Sequence, residues 1–201
     1  EENPAQAIVT NVKGTKNVAD LSCKYEVAKF VMVSTDKAVN PSNVMGASKR
    51  IAEKYVQSLQ WKHKKDRTGI VTKFITTRFG NVLGSNGSVV PLFLDQIEAG
   101  GPITLTDKKM TRFLLTLDQA VDTVFEAMQF AEAGETYIPK IKAALIVDVV
   151  NALVGRKKIE VKETGIRPGE KLHEVLVSQE ESLRTISRGD YFAIKSILPE
   201  V

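Results

Sequence analysis

The chain predicts an α/β fold, and three observations carry that assignment. Short runs of apolar and β-branched residues alternate with amphipathic stretches of helical period, as in a parallel sheet crossed by helices. The segment Ala28-Lys29-Phe30-Val31-Met32-Val33 is almost continuously apolar, as a strand covered on both faces must be. Directly after it, Ser34-Thr35-Asp36-Lys37 places an acid beside an amine. Open α/β sheets receive ligands beyond the carboxyl ends of such strands.

The elements follow in order. Asn3-Pro4 suits a helix start, and Ala5, Ile8, Val12 and Ala19 recur at helical spacing, giving a helix over 4–25. A strand at 28–34 leads into a loop at 35–44 and a helix over 45–63, whose Ile51, Ala52, Tyr55, Val56 and Leu59 form one apolar face. A second strand is expected at 70–79. The glycine- and asparagine-rich stretch 80–88 reads as a loop before a helix over 89–99, which Gly100-Gly101-Pro102 ends. Strands at 103–106 and 111–116 precede a helix over 117–131 with Asp118 in its first turn. A strand at 136–139, a helix over 144–154, a strand at 159–162 and a loop at 165–171 complete the pattern. The charged tail, with Tyr191 and Phe192, receives no element.

Composition narrows the function. A chain of 201 residues with 43% hydrophobic content can bury a core for one large domain, or for one and a half smaller ones. Its single cysteine, Cys23, excludes an internal disulfide and reads as a small apolar filler. No apolar run reaches the roughly 20 residues of a membrane span, and no signal-peptide pattern opens the chain, so a cytoplasmic setting is expected. The net charge of +4 comes from scattered lysines without interleaved aromatics, which argues against nucleic acid and suits an anionic small ligand. His63, within Lys62-His63-Lys64-Lys65, reads as a solvated helix end, and neither it nor His173 has a metal partner set; no metal site is expected.

The loop at 35–44 carries the chemistry. Asp36 and Lys37 can divide acid and base work if burial and mutual charge bring them near neutrality. The same residues also read as a Thr/Asp turn capping the next helix, with Lys37 solvated. Met45 and Lys49, at i and i+4, share one helical face, although a methionine there also suits a core. A Gly-x-Gly-x-x-Gly turn, which would receive a dinucleotide pyrophosphate, is absent from the sequence, and Gly14 stands alone within a helix. Either the fold is not a dinucleotide binder, or these residues are the later part of a longer protein.

Several stretches together carry a family resemblance: Thr10-Asn11-Val12-Lys13-Gly14-Thr15, Ser34-Thr35-Asp36-Lys37-Ala38-Val39-Asn40-Pro41, Asn43-Val44-Met45-Gly46-Ala47-Ser48-Lys49-Arg50, Arg78-Phe79-Gly80-Asn81-Val82-Leu83-Gly84-Ser85, Met110-Thr111-Arg112-Phe113 and Arg167-Pro168-Gly169-Glu170-Lys171-Leu172. In this order they resemble the extended short-chain dehydrogenase/reductases, specifically the polysaccharide-biosynthesis nucleotide-sugar 4,6-dehydratases acting on UDP-N-acetylglucosamine. The resemblance implies the later part of a doubly wound, Rossmann-like NAD(P)-binding domain over 1–84. A smaller nucleotide-sugar-binding region follows over 85–201, with about 112–139 returning to the first layer. NAD or NADP is the implied cofactor of the intact protein.

The family's active-site lysine maps to Lys49, and its tyrosine position holds Met45. A thioether cannot exchange a proton, yet some members of this group resemble the chain in having methionine there. The proton work then falls to neighbours: Lys37 as base, Asp36 as acid, Thr35 on the sugar's carbon-4 hydroxyl, and Lys49 on the nicotinamide ribose. By resemblance Asn11 supports the site from the preceding helix, where it also reads as a solvent-facing asparagine. Phe79 and Asn81 are implied cofactor contacts. Asn81, Arg112, Arg167 and Glu170 are implied nucleotide-sugar contacts, since arginine forks suit diphosphate and a carboxylate accepts ribose hydroxyls; surface ion pairing is the alternative for each. The implied partners are a UDP-sugar and a second copy docked through helices 4–25 and 45–63, with any membrane segment only upstream. A nucleotide-sugar 4-epimerase, and a non-catalytic nucleotide-sugar-binding fragment that holds NAD poorly, are the competing readings.

Overall fold

A computed structural model describes residues 3–66, 72–85 and 88–196. Residues 70–71 of the expected second strand, Asn86-Gly87 of the glycine-rich loop and the His63 side chain lie outside the described residues. In chain order the elements are α1 (Pro4–Ile8), a π-helical segment (Val9–Gly14), α2 (Thr15–Lys24), β1 (Lys29–Thr35), a 3-10 turn (Asp36–Ala38), α3 (Val44–Asp66), β2 (Lys73–Phe79), β3 (Asn81–Val82) and α4 (Val89–Glu98). Then come β4 (Ile103–Leu105), β5 (Thr111–Leu115), α5 (Leu117–Phe130), β6 (Thr136–Pro139), β7 (Ala143–Leu145), α6 (Ile146–Val154), β8 (Val161–Glu163), α7 (Gln179–Ser182), β9 (Thr185–Arg188) and β10 (Tyr191–Ile194).

The α/β class holds, with three corrections. The helix expected over 4–25 is interrupted by six π-helical residues, a widening of the hydrogen-bond ladder often found at functional sites. The helix expected from 144 starts at Ile146, because Ala143–Leu145 pairs antiparallel with β5. The tail left without an element supplies α7 and the β9–β10 hairpin, and β10 joins the main sheet antiparallel to β6.

The chain divides into two units interleaved in sequence, and it passes from the first to the second at Gly80. The first comprises Glu1–Phe79, Val121–Lys140 and Val175–Val201. Its sheet runs β1-β2-β6-β10-β9, with β1, β2 and β6 parallel. On one face Ala19 of α2 and Ala52 and Val56 of α3 pack against Met32 and Phe74. On the other, Ala127 of α5 and Ala131 pack against Ile75, Tyr137 and Ala193. β1 is a terminal strand of this sheet, and Val33 on it and Val121, Phe125 and Met128 on α5 are exposed.

A buried charge cluster joins the tail to this layer. The fully buried Arg78 of β2 reaches Glu53 of α3 (2.8 and 3.1 Å), Glu181 of α7 (3.0 and 3.2 Å) and the Leu176 carbonyl (2.8 Å). Arg50 donates to both glutamates, at 2.9 and 2.7 Å. Burial by itself would raise the Glu181 carboxyl, but Arg78, the Ser178 amide and Arg50 outweigh it and hold the group well below the usual carboxylate range. A carboxyl depressed on folding stabilises the fold above its ordinary value of 4.5 and loses that contribution as the pH falls below it. Glu181→Gln should therefore be less stable than the parent at pH 7, with a gap that narrows in urea titrations toward pH 3.

The second unit comprises Gly80–Ala120 and Ile141–Glu174. β5 pairs parallel with β3 and antiparallel with β7, while β4 pairs parallel with β8. Phe93 and Ile97 of α4, Ile103 and Leu105 of β4, Met110, and Ile146 and Val150 of α6 form its core. Gly80 allows β5 to come close, since a Cβ there would lie 2.5 Å from the Phe113 carbonyl oxygen. Among the described residues no helix is long and apolar enough to cross a membrane.

Candidate active site

β1 delivers Thr35 at its carboxyl end, level with Phe79 at the end of β2. The backbone then tightens into the 3-10 turn, where the Thr35 hydroxyl accepts from the Lys37 amide at 3.4 Å. Asp36 is completely buried. Its Oδ1 accepts from the Thr35 hydroxyl and from Lys37 Nζ, both at 2.9 Å. The Lys37 side chain is about one quarter exposed, at 26%, and its ammonium rests on the buried carboxylate.

α3 starts against this turn. The Asn43 side chain caps it by accepting from the Gly46 amide at 2.8 Å. A Cβ on residue 46 would lie only 2.2 Å from the Lys37 carbonyl oxygen. Glycine thus allows the helix to sit on the acid–base turn. Gly46→Ala would gain up to ~1 kcal/mol of helix propensity and lose more to a clash with backbone, which overpacking places at ~1–3 kcal/mol or above. The expected result is a net drop in the urea midpoint.

Met45 is exposed and is not spent on the core. One turn on, Lys49 is half-buried and donates to the Val33 carbonyl at 3.2 Å. Burial lowers its amine from the usual lysine value, with Glu53 opposing. Asn11 lies in the π-helical segment and donates to Ser48 Oγ at 3.0 Å, while Ser48 donates to the Met45 carbonyl at 2.8 Å. Asn11 therefore engages α3 rather than solvent. Sequence reading missed Ser48, and the signal was a serine one turn before Ala52 and Val56 on the stripe that packs against β1 and β2.

In the second unit, Arg112 is 7% exposed. It donates to the Thr111 and Leu172 carbonyls (2.8 and 3.2 Å) and to Glu170 at 3.3 Å. Two of the expected substrate contacts thus pair with each other. Arg167 is exposed, and its guanidinium has no partner among the described residues. Asn81 is half-buried on β3, opposite Leu114, and Phe79 ends β2 at the margin of burial. His173 Nδ1 meets the Thr111 hydroxyl at 2.8 Å. Among the described residues no group of three or more His, Cys, Asp or Glu is placed to hold a metal ion.

The donor set in the first unit suits a nicotinamide ribose. The lysine ammonium has three protons, of which Lys49 gives one to Val33, leaving donors for sugar hydroxyls near the carboxyl end of β1. The parallel strands that end in a Thr-Asp-Lys turn, with a lysine on the following helix, agree with the extended short-chain dehydrogenase/reductase fold that the sequence resembles. Within that class the chain belongs to the polysaccharide biosynthesis protein family, which it matches over residues 1–196.

The chain is 50% identical over 187 residues to the capsular polysaccharide biosynthesis protein CapD of Staphylococcus aureus, covering 90% of this chain and 30% of CapD. It is 41% identical to a UDP-glucose 4-epimerase of Rickettsia canadensis, covering 95% of this chain and 55% of the relative. It is 40% identical to the inverting UDP-N-acetylglucosamine 4,6-dehydratase of Campylobacter jejuni, covering 96% and 57%. The solved structure of Pen from Bacillus thuringiensis matches with a TM-score of 0.91 at 39% identity, covering 98% of this chain and 62% of that one. The chain thus spans between 30% and 57% of the length of these three curated relatives.

Proposed function

We propose that the intact protein is an NAD(P)-dependent UDP-N-acetylglucosamine 4,6-dehydratase, acting in the cytoplasm for surface polysaccharide or glycan synthesis. The observation that carries this reading is the Asp36–Lys37 pair at 2.9 Å, its carboxyl fully buried, with Thr35 on the same carboxylate oxygen. When bound, the nicotinamide cofactor supplies hydride acceptance and return. The residues of the chain supply the rest.

Thr35 holds the carbon-4 hydroxyl of the sugar, Lys37 removes the proton on carbon 5, and Asp36 gives a proton to the carbon-6 hydroxyl, which leaves as water. As an ion pair these two groups are in the wrong state for both tasks, since an ammonium is no base and a carboxylate no acid. Moving one proton from Nζ to Oδ1 across their 2.9 Å contact makes both competent. Lys49 holds the ribose, Met45 exchanges no proton, and Asn11 acts through Ser48. Arg167 and Asn81 contact the nucleotide sugar, while Arg112 supports Glu170. Exposed Val18, Leu21 and Ile51 on α2 and α3 support a homodimer through those helices.

Relatives named as a 4-epimerase and as a dehydratase make epimerisation the competing reading. It needs only oxidation and reduction at carbon 4, so an acid–base pair for carbons 5 and 6 favours water loss. Mass spectrometry of the product separates them: a 4-keto-6-deoxy sugar is one water lighter than its substrate, whereas a product of unchanged mass would remove the dehydratase reading. The terminal position of β1 in its sheet and the exposed apolar residues of α5 support a chain that by itself binds NAD poorly and turns over little. Tight NAD binding by the isolated chain in calorimetry would refute that.

A further inference from the structure

Two buried oxygens beside the acid–base turn, Ser34 Oγ and Asp36 Oδ2, have no hydrogen-bond partner among the described residues. Ser34 is 4% exposed and Asp36 0%. The chain is extended through Thr35, with φ −143° and ψ 157°, so residues 34 and 36 project from the same face, about 6.5 Å apart along the strand. That face lies under α3. Met32, two residues earlier on it, packs with Ala52 and Val56, and Arg78, in register with Ser34, runs to Glu53 of the same helix. Burying a polar atom unpaired costs ~1–3 kcal/mol, and two such atoms on one strand face are a pair that a single bridge can satisfy.

We propose that Ser34 is a positioning residue for Asp36, its hydroxyl donating to Oδ2 through one bound water. Two hydrogen bonds of about 2.8 Å let a water span roughly 5 Å between oxygens, within the reach that side chains at i and i+2 leave open. The chemistry suits both protonation states of the carboxyl. Oδ2 accepts whether Asp36 is ionised or carries its proton on Oδ1, and a serine hydroxyl can always turn to donate. With Oδ2 anchored beneath α3, Oδ1 is left as the oxygen shared with Thr35 and Lys37, the one that takes and gives the proton. The catalytic meaning rests on the acid role proposed above for Asp36, but the hydrogen bond can be read without turnover.

The test compares Ser34→Thr with Ser34→Val, which share a shape and differ in the hydroxyl. With carbon-13-labelled aspartate carboxyls, and the Asp36 signal assigned by its loss in Asp36→Ala, threonine should keep that resonance near its parent position and valine should move it. The folding constant should be about tenfold lower for valine than for threonine, and this ratio should shrink toward one in an Asp36→Ala background. An Asp36 resonance indifferent to the choice, or the same ratio in both backgrounds, would overturn the assignment. A negative product assay would leave either result standing.

Discussion

Asp36→Asn and Lys37→Ala should each lower the kcat of the intact protein for water loss by ~10³-fold or more, near the upper range of single acid–base groups, while UDP-sugar affinity stays within about a factor of two. The two effects should not add. An asparagine amide offers no transferable proton, and it also removes the carboxylate oxygen that accepts from Lys37 Nζ at 2.9 Å, so the proton exchange between the two groups is lost. Removing Lys37 likewise takes away both the base and the amine that meets Asp36 Oδ1 at 2.9 Å. The double variant should therefore be about as slow as either single one, the behaviour of residues that act as a unit. Steady-state kinetics with calorimetric UDP-sugar binding reads both quantities. Near-normal turnover in either single variant would eliminate the assigned roles.

Arg78→Met should be the most destabilising single substitution outside the acid–base turn, costing ~3–5 kcal/mol because two buried carboxylates lose their shared partner. Arg50 remains beside both, but it is a partly exposed residue at the cluster's margin. Against the ~5–15 kcal/mol that holds a typical domain together, a loss of this size pulls the urea midpoint far down. The tail should respond first, since Glu181 and Leu176 are its contacts with Arg78. Adding Glu53→Leu and Glu181→Leu to Arg78→Met should recover part of the loss, because an apolar replacement of a whole buried ionic cluster is far cheaper than breaking it. A triple variant weaker than Arg78→Met would place the cost in packing instead of unpaired charge.

Most of the element order along the chain was legible in sequence because it rests on local signals. The β1 run, the apolar stripe of α3 and Asp118 at the start of α5 each report their element from a handful of neighbouring residues. The tail was not legible. Thr185–Arg188 and Tyr191–Ile194 are short and mixed in polarity, and they become strands because β10 finds β6 some fifty residues away in sequence; pairing partners at that distance leave no local trace. Ala143–Leu145 went the same way, as a cross-strand partner overrode a pattern that also suits the first turn of a helix.

For the site, the residue types and their order were available from the sequence alone: an acid and an amine after a buried strand, and a lysine four residues beyond a methionine, in motifs shared with a family. Only the tertiary structure decided their states. The packing of α3 onto the turn, possible because residue 46 has no side chain, takes Asp36 out of water and sets Lys37 against it. Folding likewise pairs Arg112 with Glu170 and brings Ser48 to Asn11. The physical reason is range: helix and strand periods are written in residues a few positions apart, whereas burial and hydrogen-bond partnership depend on what the rest of the chain lays on top.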